Sequence, residues 1–480
     1  MFHRLITKYG LATHLALLAS LPVAIQPFVS DRALGITILW LSAFAIMWLM
    51  VEPSILSGEH LSTARERVRK ELVASPLFWF SLIVVAFAAV RCWNDGVALR
   101  FDAAQSAWLV SQPDLSGLPA AVQGAAFLPF AVAVGTVSLM LGILYGLGLA
   151  ARLSFGIVFS FLMGVGGLAV ATCVCFEMEP LTSMAATDFS PAPHLGTAFG
   201  IGCLVAIACG TCAESRKWTT ARFPFCVAVA GNVAGLLFLA PSLVSAGYLA
   251  VSIVLALFGI VIVTRTASAG GAARCAMMIL LGVAIAVSLL VAYAPRTVWD
   301  AKVKGLDATQ AFPETYRQES EILGRASRAV WEDSPWCGGG IGSFPLRLKF
   351  LADKADWSVL KPDVASPSNG YWSLLAERGI LGCLFLAGIG VFLIVVWVKH
   401  LVGAILYLRT RDDAFPFPFA CAPVVWISLP VLVLLGLEAV ADPVFSGKTV
   451  LLAAVVGIAL PAASFPRKPR RQTPETDQEK

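Results

Sequence analysis

The candidate reactive residues of this chain are concentrated in the stretch 335–382. It opens with a glycine run, Pro335-Trp336-Cys337-Gly338-Gly339-Gly340-Ile341-Gly342-Ser343-Phe344. It closes with polar and charged residues, Ser368-Asn369-Gly370-Tyr371 and then Glu377-Arg378-Gly379-Ile380-Leu381-Gly382. Glycines let a backbone approach a ligand or a neighbouring helix closely. A carboxyl group such as that of Glu377 can take a proton from a hydroxyl group.

The glycine run does not fit a nucleotide-binding loop, because it lacks the Gly-Lys-Ser/Thr ending with which a P-loop holds phosphates. Two interpretations stay open. The run is a tight turn that returns the chain to an adjoining apolar segment. Alternatively, it is a substrate-binding segment, in which Gly338, Gly340 and Gly342 let the backbone approach a ligand.

A second candidate group is a set of arginines upstream of the glycine run. Apolar residues at helical spacing predict an amphipathic helix over residues 314–332. Its basic residues are Arg317, Arg325 and Arg328. Either they pair with glutamates at i,i+4 on a solvated face, or one or two of them bind a pyrophosphate, because a guanidinium can hold two oxygens at once.

Both halves of the stretch 335–382 resemble the signature of the O-antigen ligase and O-antigen polymerase superfamily. That signature reads approximately P-x-x-G-x-G-x-G-x-F, followed by H-[NS]-x-[YW]-x-x-x-x-[AG]-E-x-G-x-[LI]-G. The chain matches most of it, but Ser368 stands where the family has its histidine. A second departure lies at Ser245-Ala246-Gly247, where the family usually has Ser-Arg-Gly.

The resemblance implies a membrane enzyme that moves glycan from a polyprenyl-pyrophosphate carrier to an acceptor hydroxyl. In the family, a histidine on the outer face assists the hydroxyl, and arginines hold the diphosphate. The candidate catalytic residues here are Ser368, Asn369, Glu377 and, in another outer loop, His194. The candidate substrate-binding residues are Arg317, Arg325, Arg328, Gly338, Gly340, Gly342 and Tyr371. We expect Glu377 rather than His194 to replace the histidine, and we expect no metal, nucleotide or other cofactor.

The composition is that of a membrane protein. Hydrophobic residues make up 58% of the chain and charged residues 14%, with a mean hydropathy of +0.80. A soluble domain has about a quarter of its residues charged. The sequence therefore predicts an all-α polytopic membrane protein.

Twelve apolar runs are long enough to cross a hydrocarbon core of ~30 Å as helices. They lie at 11–30, 33–51, 76–92, 123–150, 154–176, 196–213, 223–241, 243–263, 275–294, 376–398, 417–437 and 449–465. Lysine and arginine are concentrated in alternate loops. This asymmetry predicts that both termini are cytoplasmic in a multi-pass protein of the bacterial inner membrane.

The predicted organisation follows from these spans. Transmembrane helices 1–9 occupy 1–294, an extracytoplasmic loop with the signature motif occupies 295–375, and transmembrane helices 10–12 occupy 376–465. The charged residues 466–480 are expected to form a disordered cytoplasmic tail. Within the first part, 93–122 is expected to be a short amphipathic stretch at the membrane surface.

Three functions remain open. The first, which we expect, is a glycan transferase of ligase or polymerase type. Its partners are a polyprenyl-pyrophosphate-linked glycan donor, a lipid or glycan acceptor and the lipid bilayer, with no nucleic acid. The second is a family member that has lost catalysis and acts in polysaccharide assembly as a scaffold. The third is a transporter, which should show paired broken helices or charged residues near the bilayer midplane.

Overall fold

The computed structural model of the chain describes thirteen longer segments. They are residues 15–26, 31–51, 99–102, 107–110, 149–178, 193–215, 222–239, 244–264, 269–300 without 297, 314–353 without 341, 356–360, 369–410 and 427–441. Residue 456 and isolated residues between 73 and 137 are described as well.

Helices make up most of this described part. The apolar helices of the first half are α1 (Leu15–Ile25), α2 (Asp31–Val51), α3 (Leu149–Cys175), α4 (Pro193–Ser215), α5 (Arg222–Leu239), α6 (Val244–Thr264) and α7 (Ala269–Tyr293). The polar segment, which is the predicted loop 295–375, contributes α8 (Glu314–Asp333) and α9 (Phe344–Leu351). These are followed by α10 (Gly370–Thr410) and α11 (Ser428–Ala441). A short 3₁₀ turn, Asp356–Ser358, lies between α9 and α10.

Each of the apolar helices overlaps an apolar run of the sequence, so the helical character of the fold is confirmed for the described residues. Three of them are long and apolar enough to cross a membrane, at Leu153–Cys175, Arg222–Leu239 and Ala276–Tyr293. The expected spans 76–92, 123–150 and 449–465 lie largely outside the described residues. The structure therefore supports membrane helices, and the count of twelve spans stays a prediction.

The exception to the helical pattern is a β-hairpin within 93–122, where the sequence predicted an amphipathic surface stretch. Strand β1 (Leu99–Asp102) pairs antiparallel with β2 (Ala107–Val110). The residues of β1 read Leu-Arg-Phe-Asp, and this alternation of apolar and polar residues is the period of a strand. This strand period was the available signal for the hairpin.

Glycines bring α3 and α5 into close contact. A side chain at Gly231 would collide with the backbone of Gly164, and a side chain at Gly167 would collide with the carbonyl of Gly231. Gly231 and Gly235 have the small-x-x-x-small spacing that lets membrane helices approach closely. The backbones of the two helices therefore come into direct contact at these glycines.

Asn232 lies beside this contact and is fully buried. Its Nδ2 donates hydrogen bonds to the carbonyl of Ser160 on α3, at 2.9 Å, and to that of Ala228 on its own helix, at 2.7 Å. A hydrogen bond across two apolar helices stabilises their association. Asn232 is thus a helix-packing residue.

Several helices carry large apolar side chains on their exposed faces. On α7 these include Met277, Leu280, Leu281 and Val291, and on α10 they include Leu384, Val391, Ile394 and Val395. Soluble proteins rarely expose contiguous apolar patches of this kind. Lipid chains would cover such faces without cost, so the exposed surface supports membrane association.

Candidate functional site

The polar segment has a small apolar core of its own. It consists of Ile322, Leu323, Ala326 and Val330 from α8, Phe344 and Leu348 from α9, Leu360, and Ala376 from α10. The face of α8 that the sequence indicated is the buried one, and the helix ends one residue beyond the predicted 314–332. Because Ala376 belongs to α10, this core attaches the polar segment to the helix that follows it.

The glycine loop, residues 335–343, is a compact turn between α8 and α9. Gly338, Gly340 and Gly342 have positive φ angles of 70°, 99° and 75°, which residues with a side chain rarely adopt. Ser343 closes the turn, because its Oγ donates to the carbonyl of Gly340 at 2.7 Å. Three of the glycines are therefore required by the backbone conformation alone.

Helix α10 is broken at Gly379, whose φ of 65° and ψ of −167° are not helical. In an unbroken helix, the amide of Ile380 would bond to the carbonyl of Ala376. Here Gly339 N donates to Ala376 O at 2.7 Å, and Ile380 N donates to Pro335 O at 2.9 Å. The glycine loop thus supplies both partners of the hydrogen bond that the helix has lost.

The contact between the glycine loop and this break is called the interlock below. Leu381 N adds a further hydrogen bond to it, donated to Trp336 O at 3.0 Å. Neither backbone leaves room for a side chain at the crossing. A Cβ on Gly338 would meet the backbone of residues 377–378, and a Cβ on Gly379 would meet the carbonyl of Trp336.

Glu377 holds the far end of the glycine loop. It is buried, and its Oε1 accepts a hydrogen bond from the amide of Gly342 at 3.0 Å. The spacing Glu-x-Gly therefore has a physical reason. Glu377 bonds to one end of the loop, and Gly379, which has no side chain, leaves room for the backbone of the other end. This contact positions the loop, and the proposed use of Glu377 as a base stays a prediction.

Asn369 and Tyr371 fix the first turn of α10. Asn369 caps the helix, since its Oδ1 accepts a hydrogen bond from Trp372 N at 2.9 Å. The Tyr371 hydroxyl donates to the carbonyl of Gly436 on α11 at 3.0 Å. Two residues that match the family signature thus orient the start of α10 and tie it to α11.

The described arginines of α8 lie at the surface in ion pairs. Arg325 has 73% of its side chain exposed and pairs with Asp356 at 3.2 Å. Arg328 pairs with Glu332 at 2.8 Å, which confirms the i,i+4 pair expected from the sequence. Exposed pairs of this kind contribute at most about 1 kcal/mol to stability, so both guanidinium groups can exchange their partners for a ligand.

The remaining predicted site residues fall outside this description. Ser368 is not among the described residues, and neither are the side chains of His194 and Arg317. The structure brings together Gly338, Gly342 and Glu377 in the interlock, with Asn369 and Tyr371 about two turns earlier at the start of α10.

Arg347 of α9 is a basic residue that the sequence analysis missed. Only 18% of its side chain is exposed, and its Nη1 pairs with Asp333 at 3.2 Å. Its Nε is buried, has no hydrogen-bond partner and lies about where a side chain on Gly339 would reach. An arginine a few residues after the glycine run was the available signal.

Glu438 is the second residue that the sequence analysis missed. The predicted span ended at 437, whereas α11 continues to Ala441 and buries Glu438 almost completely. The hydroxyl of Ser245 donates to Glu438 Oε2 at 3.1 Å. A lone glutamate at the end of an apolar run was the signal, since an ionisable residue buried in a membrane helix marks a functional site by default.

No group of three or more histidine, cysteine, aspartate or glutamate side chains is placed to hold a metal ion in the part of the chain that the structure describes. A scan against models of known protein families finds no match to this sequence, and a search of curated proteins finds no significantly similar one. The geometry of the interlock and its surroundings is therefore the basis of the functional argument.

Proposed function

We propose that this chain is an integral-membrane glycan transferase of O-antigen ligase-like or polymerase-like type. It moves glycan from a polyprenyl-pyrophosphate carrier to an acceptor hydroxyl on the outer face of the bacterial inner membrane. The observation that supports this most is the interlock. Two sequence segments that resemble the two halves of one signature fit each other through backbone hydrogen bonds at a broken helix.

The break in α10 leaves backbone N–H and C=O groups without their usual partners in the helix. Such groups are costly in a membrane protein unless other parts of the protein bond to them. The interlock satisfies the freed backbone groups and fixes the glycine loop against the start of α10. Basic residues of the polar segment can then neutralise the diphosphate, which makes polyprenyl pyrophosphate a good leaving group without a metal or nucleotide.

A catalytically lapsed scaffold is the second candidate. It is favoured by Ser368 and Ala246, which stand at two positions where the family has functional side chains. It is also favoured by the described contact of Glu377, because a carboxylate that holds the glycine loop has a structural role rather than a catalytic one. A scaffold of this kind would keep the fold of the interlock and bind the lipid-linked glycan without turnover.

The deciding experiment uses the purified full-length chain in lipid nanodiscs with an undecaprenyl-pyrophosphate-linked oligosaccharide and an acceptor glycolipid. We expect the release of undecaprenyl pyrophosphate together with an extended acceptor, both followed by mass spectrometry. Binding of the intact donor without release would favour the scaffold. If the donor neither binds nor reacts, both readings are wrong.

We predict that arginines of α8 take part in diphosphate binding. Arg317→Ala and Arg325→Ala should each weaken the binding of undecaprenyl pyrophosphate about tenfold or more, because a charge-assisted bond contributes about 1.5–3 kcal/mol. Lys349→Ala, which removes an exposed positive charge from α9, is the matched control. Equal and negligible effects at Arg317, Arg325 and Arg328 would contradict this prediction.

We predict twelve spans with both termini in the cytoplasm. Reporter fusions after Gly270 should report the cytoplasm, and fusions within 345–365 should report the exterior, because lysine and arginine are concentrated in alternate loops. An alkaline phosphatase and a green fluorescent protein fusion at each position give opposite readouts and control for expression. The same side at both positions would contradict the topology and the transferase built on it.

A further inference from the structure

A buried carboxyl group lies where three helices meet near the signature. Glu438 on α11 is only 1% exposed. The hydroxyl of Ser245, in the first turn of α6, donates a hydrogen bond to Glu438 Oε2 at 3.1 Å. Tyr371, at the start of α10, donates to the carbonyl of Gly436, half a helical turn from Glu438.

The positions of these two contacts are informative, because they join three separate parts of the sequence. Ser245 opens the triplet Ser245-Ala246-Gly247, and Tyr371 follows Ser368 by three positions in the sequence. Both of the chain's departures from the family signature, Ala246 and Ser368, are thus within three sequence positions of residues that contact the end of α11. In the proposed topology, the start of α6, the start of α10 and the end of α11 all face the exterior.

Packing does not explain a glutamate at this position. The other residues of α11 are apolar or small, Ser-Leu-Pro-Val-Leu-Val-Leu-Leu-Gly-Leu before Glu438 and Ala-Val-Ala after it. Burying a carboxyl group in such surroundings costs free energy that a leucine would not cost. A buried ionisable residue in an apolar helix therefore indicates a function.

We propose that Glu438 is the base of the transfer reaction, in place of the histidine for which Ser368 stands, and that Ser245 positions its carboxylate. This inference rests on the proposed transferase function. In the step, the acceptor O–H bond breaks and its proton moves to Glu438. The acceptor oxygen bonds to the anomeric carbon of the donor sugar, whose bond to the pyrophosphate oxygen breaks. Polyprenyl pyrophosphate leaves with that electron pair, and Glu438 afterwards returns the proton to water.

Glu438 is better suited to this role than Glu377. One carboxylate oxygen of Glu377 already accepts the amide of Gly342, and proton uptake there would weaken the interlock. The Glu438 side chain makes its described contact with a hydroxyl, which can rotate to serve either protonation state. In this proposal the acceptor approaches Glu438 along Tyr371, a residue that is 47% exposed.

The first test compares Glu438→Gln with the parent in the nanodisc transfer assay. General-base assistance contributes about 10²–10⁴-fold, so we expect kcat to fall at least about 100-fold with little change in the KM for the donor. Glu177→Gln, the same change at an exposed position, should keep the parent rate. Parent activity in Glu438→Gln would overturn the inference while the transferase function stands.

The second test separates chemistry from structure. Adding Ser368→His to Glu438→Gln restores the base of the family signature, and we expect at least a tenfold recovery of kcat. The pH–rate profile should change with it, because imidazole replaces carboxylate as the titrating group. A structural role for Glu438 would show no recovery, and absence of recovery overturns the inference whatever the melting temperature.

The positioning role of Ser245 has its own readout. Ser245→Ala should lower kcat without changing the KM for the donor, and Ser245→Thr should restore it because the hydroxyl returns. Failure of Ser245→Thr to restore kcat would contradict the positioning role. If the parent itself transfers no glycan, the proposed function fails and this inference fails with it.

Discussion

The Gly338→Ala variant should lose about 3 kcal/mol of stability or more, and with it all transfer activity. The added Cβ would meet the backbone of residues 377–378, which cannot move aside as a flexible side chain could. The positive φ of Gly338 adds about 1–2 kcal/mol of strain, and overpacking costs about 1–3 kcal/mol more. Thermal unfolding in detergent measures the loss, and hydrogen exchange at the amides of Gly339 and Ile380 locates it.

The matched control is Gly388→Ala on the same helix. No atom lies within 4 Å of the added Cβ there, and alanine is favoured over glycine in a helix by up to about 1 kcal/mol. Gly388→Ala should therefore be as stable as the parent or slightly more stable. If both variants unfolded alike, the interlock would not be what holds the glycine loop to α10.

The second large effect is expected for Gly231→Ala, which should destabilise the packing of α3 against α5. Its Cβ would collide with the backbone of Gly164, so α3 and α5 would have to separate along their contact. We expect a loss of about 3 kcal/mol, since packing replaces the hydrophobic effect as the force between membrane helices. The melting temperature should fall, and protection from hydrogen exchange should drop along both helices.

Gly247→Ala is the control for this variant. It lies in α6, where no atom is within 4 Å of the added Cβ. The two predictions also differ in where the damage occurs. Gly338→Ala should expose amides around the interlock only, whereas Gly231→Ala should affect α3 and α5 and leave the small core of the polar segment folded.

Local patterns in the sequence were sufficient to predict α8. Its apolar residues at helical spacing, among them Leu323, Ala326 and Val330, gave the helix, its buried face and its bounds to within one residue. The pair Arg328–Glu332 was predictable for the same reason, because i,i+4 neighbours are set by the helix itself. Helical spacing and i,i+4 pairing both depend only on residues that lie within a few positions of each other in the sequence.

The break in α10 could not be predicted in this way. The residues around Gly379 are good helix formers on both sides, and one glycine costs a helix only about 1 kcal/mol. What stabilises the break is a set of hydrogen bonds from Pro335, Trp336 and Gly339, far away along the chain. Of these residues the resemblance to the family singled out only Pro335, and it did not predict that this segment touches Gly379.

Glu438 was missed because the predicted end of a helix is uncertain by a few residues. A span that stops at 437 places the carboxyl group in a loop, and a helix that continues to Ala441 buries it. The contact with Ser245 joins helices that are distant in sequence, and no local pattern encodes it.

The interlock also has a consequence for the length of the chain between its two sides. Because residues 335–342 and 376–381 are fastened to each other, the residues between them form a closed loop with fixed ends. Doubling the length of such a loop costs only about 0.6 kcal/mol in closure entropy. The stretch between the two sides can therefore change in length at little cost in closure entropy, provided that Phe344, Leu348 and Leu360 keep their places in the small core.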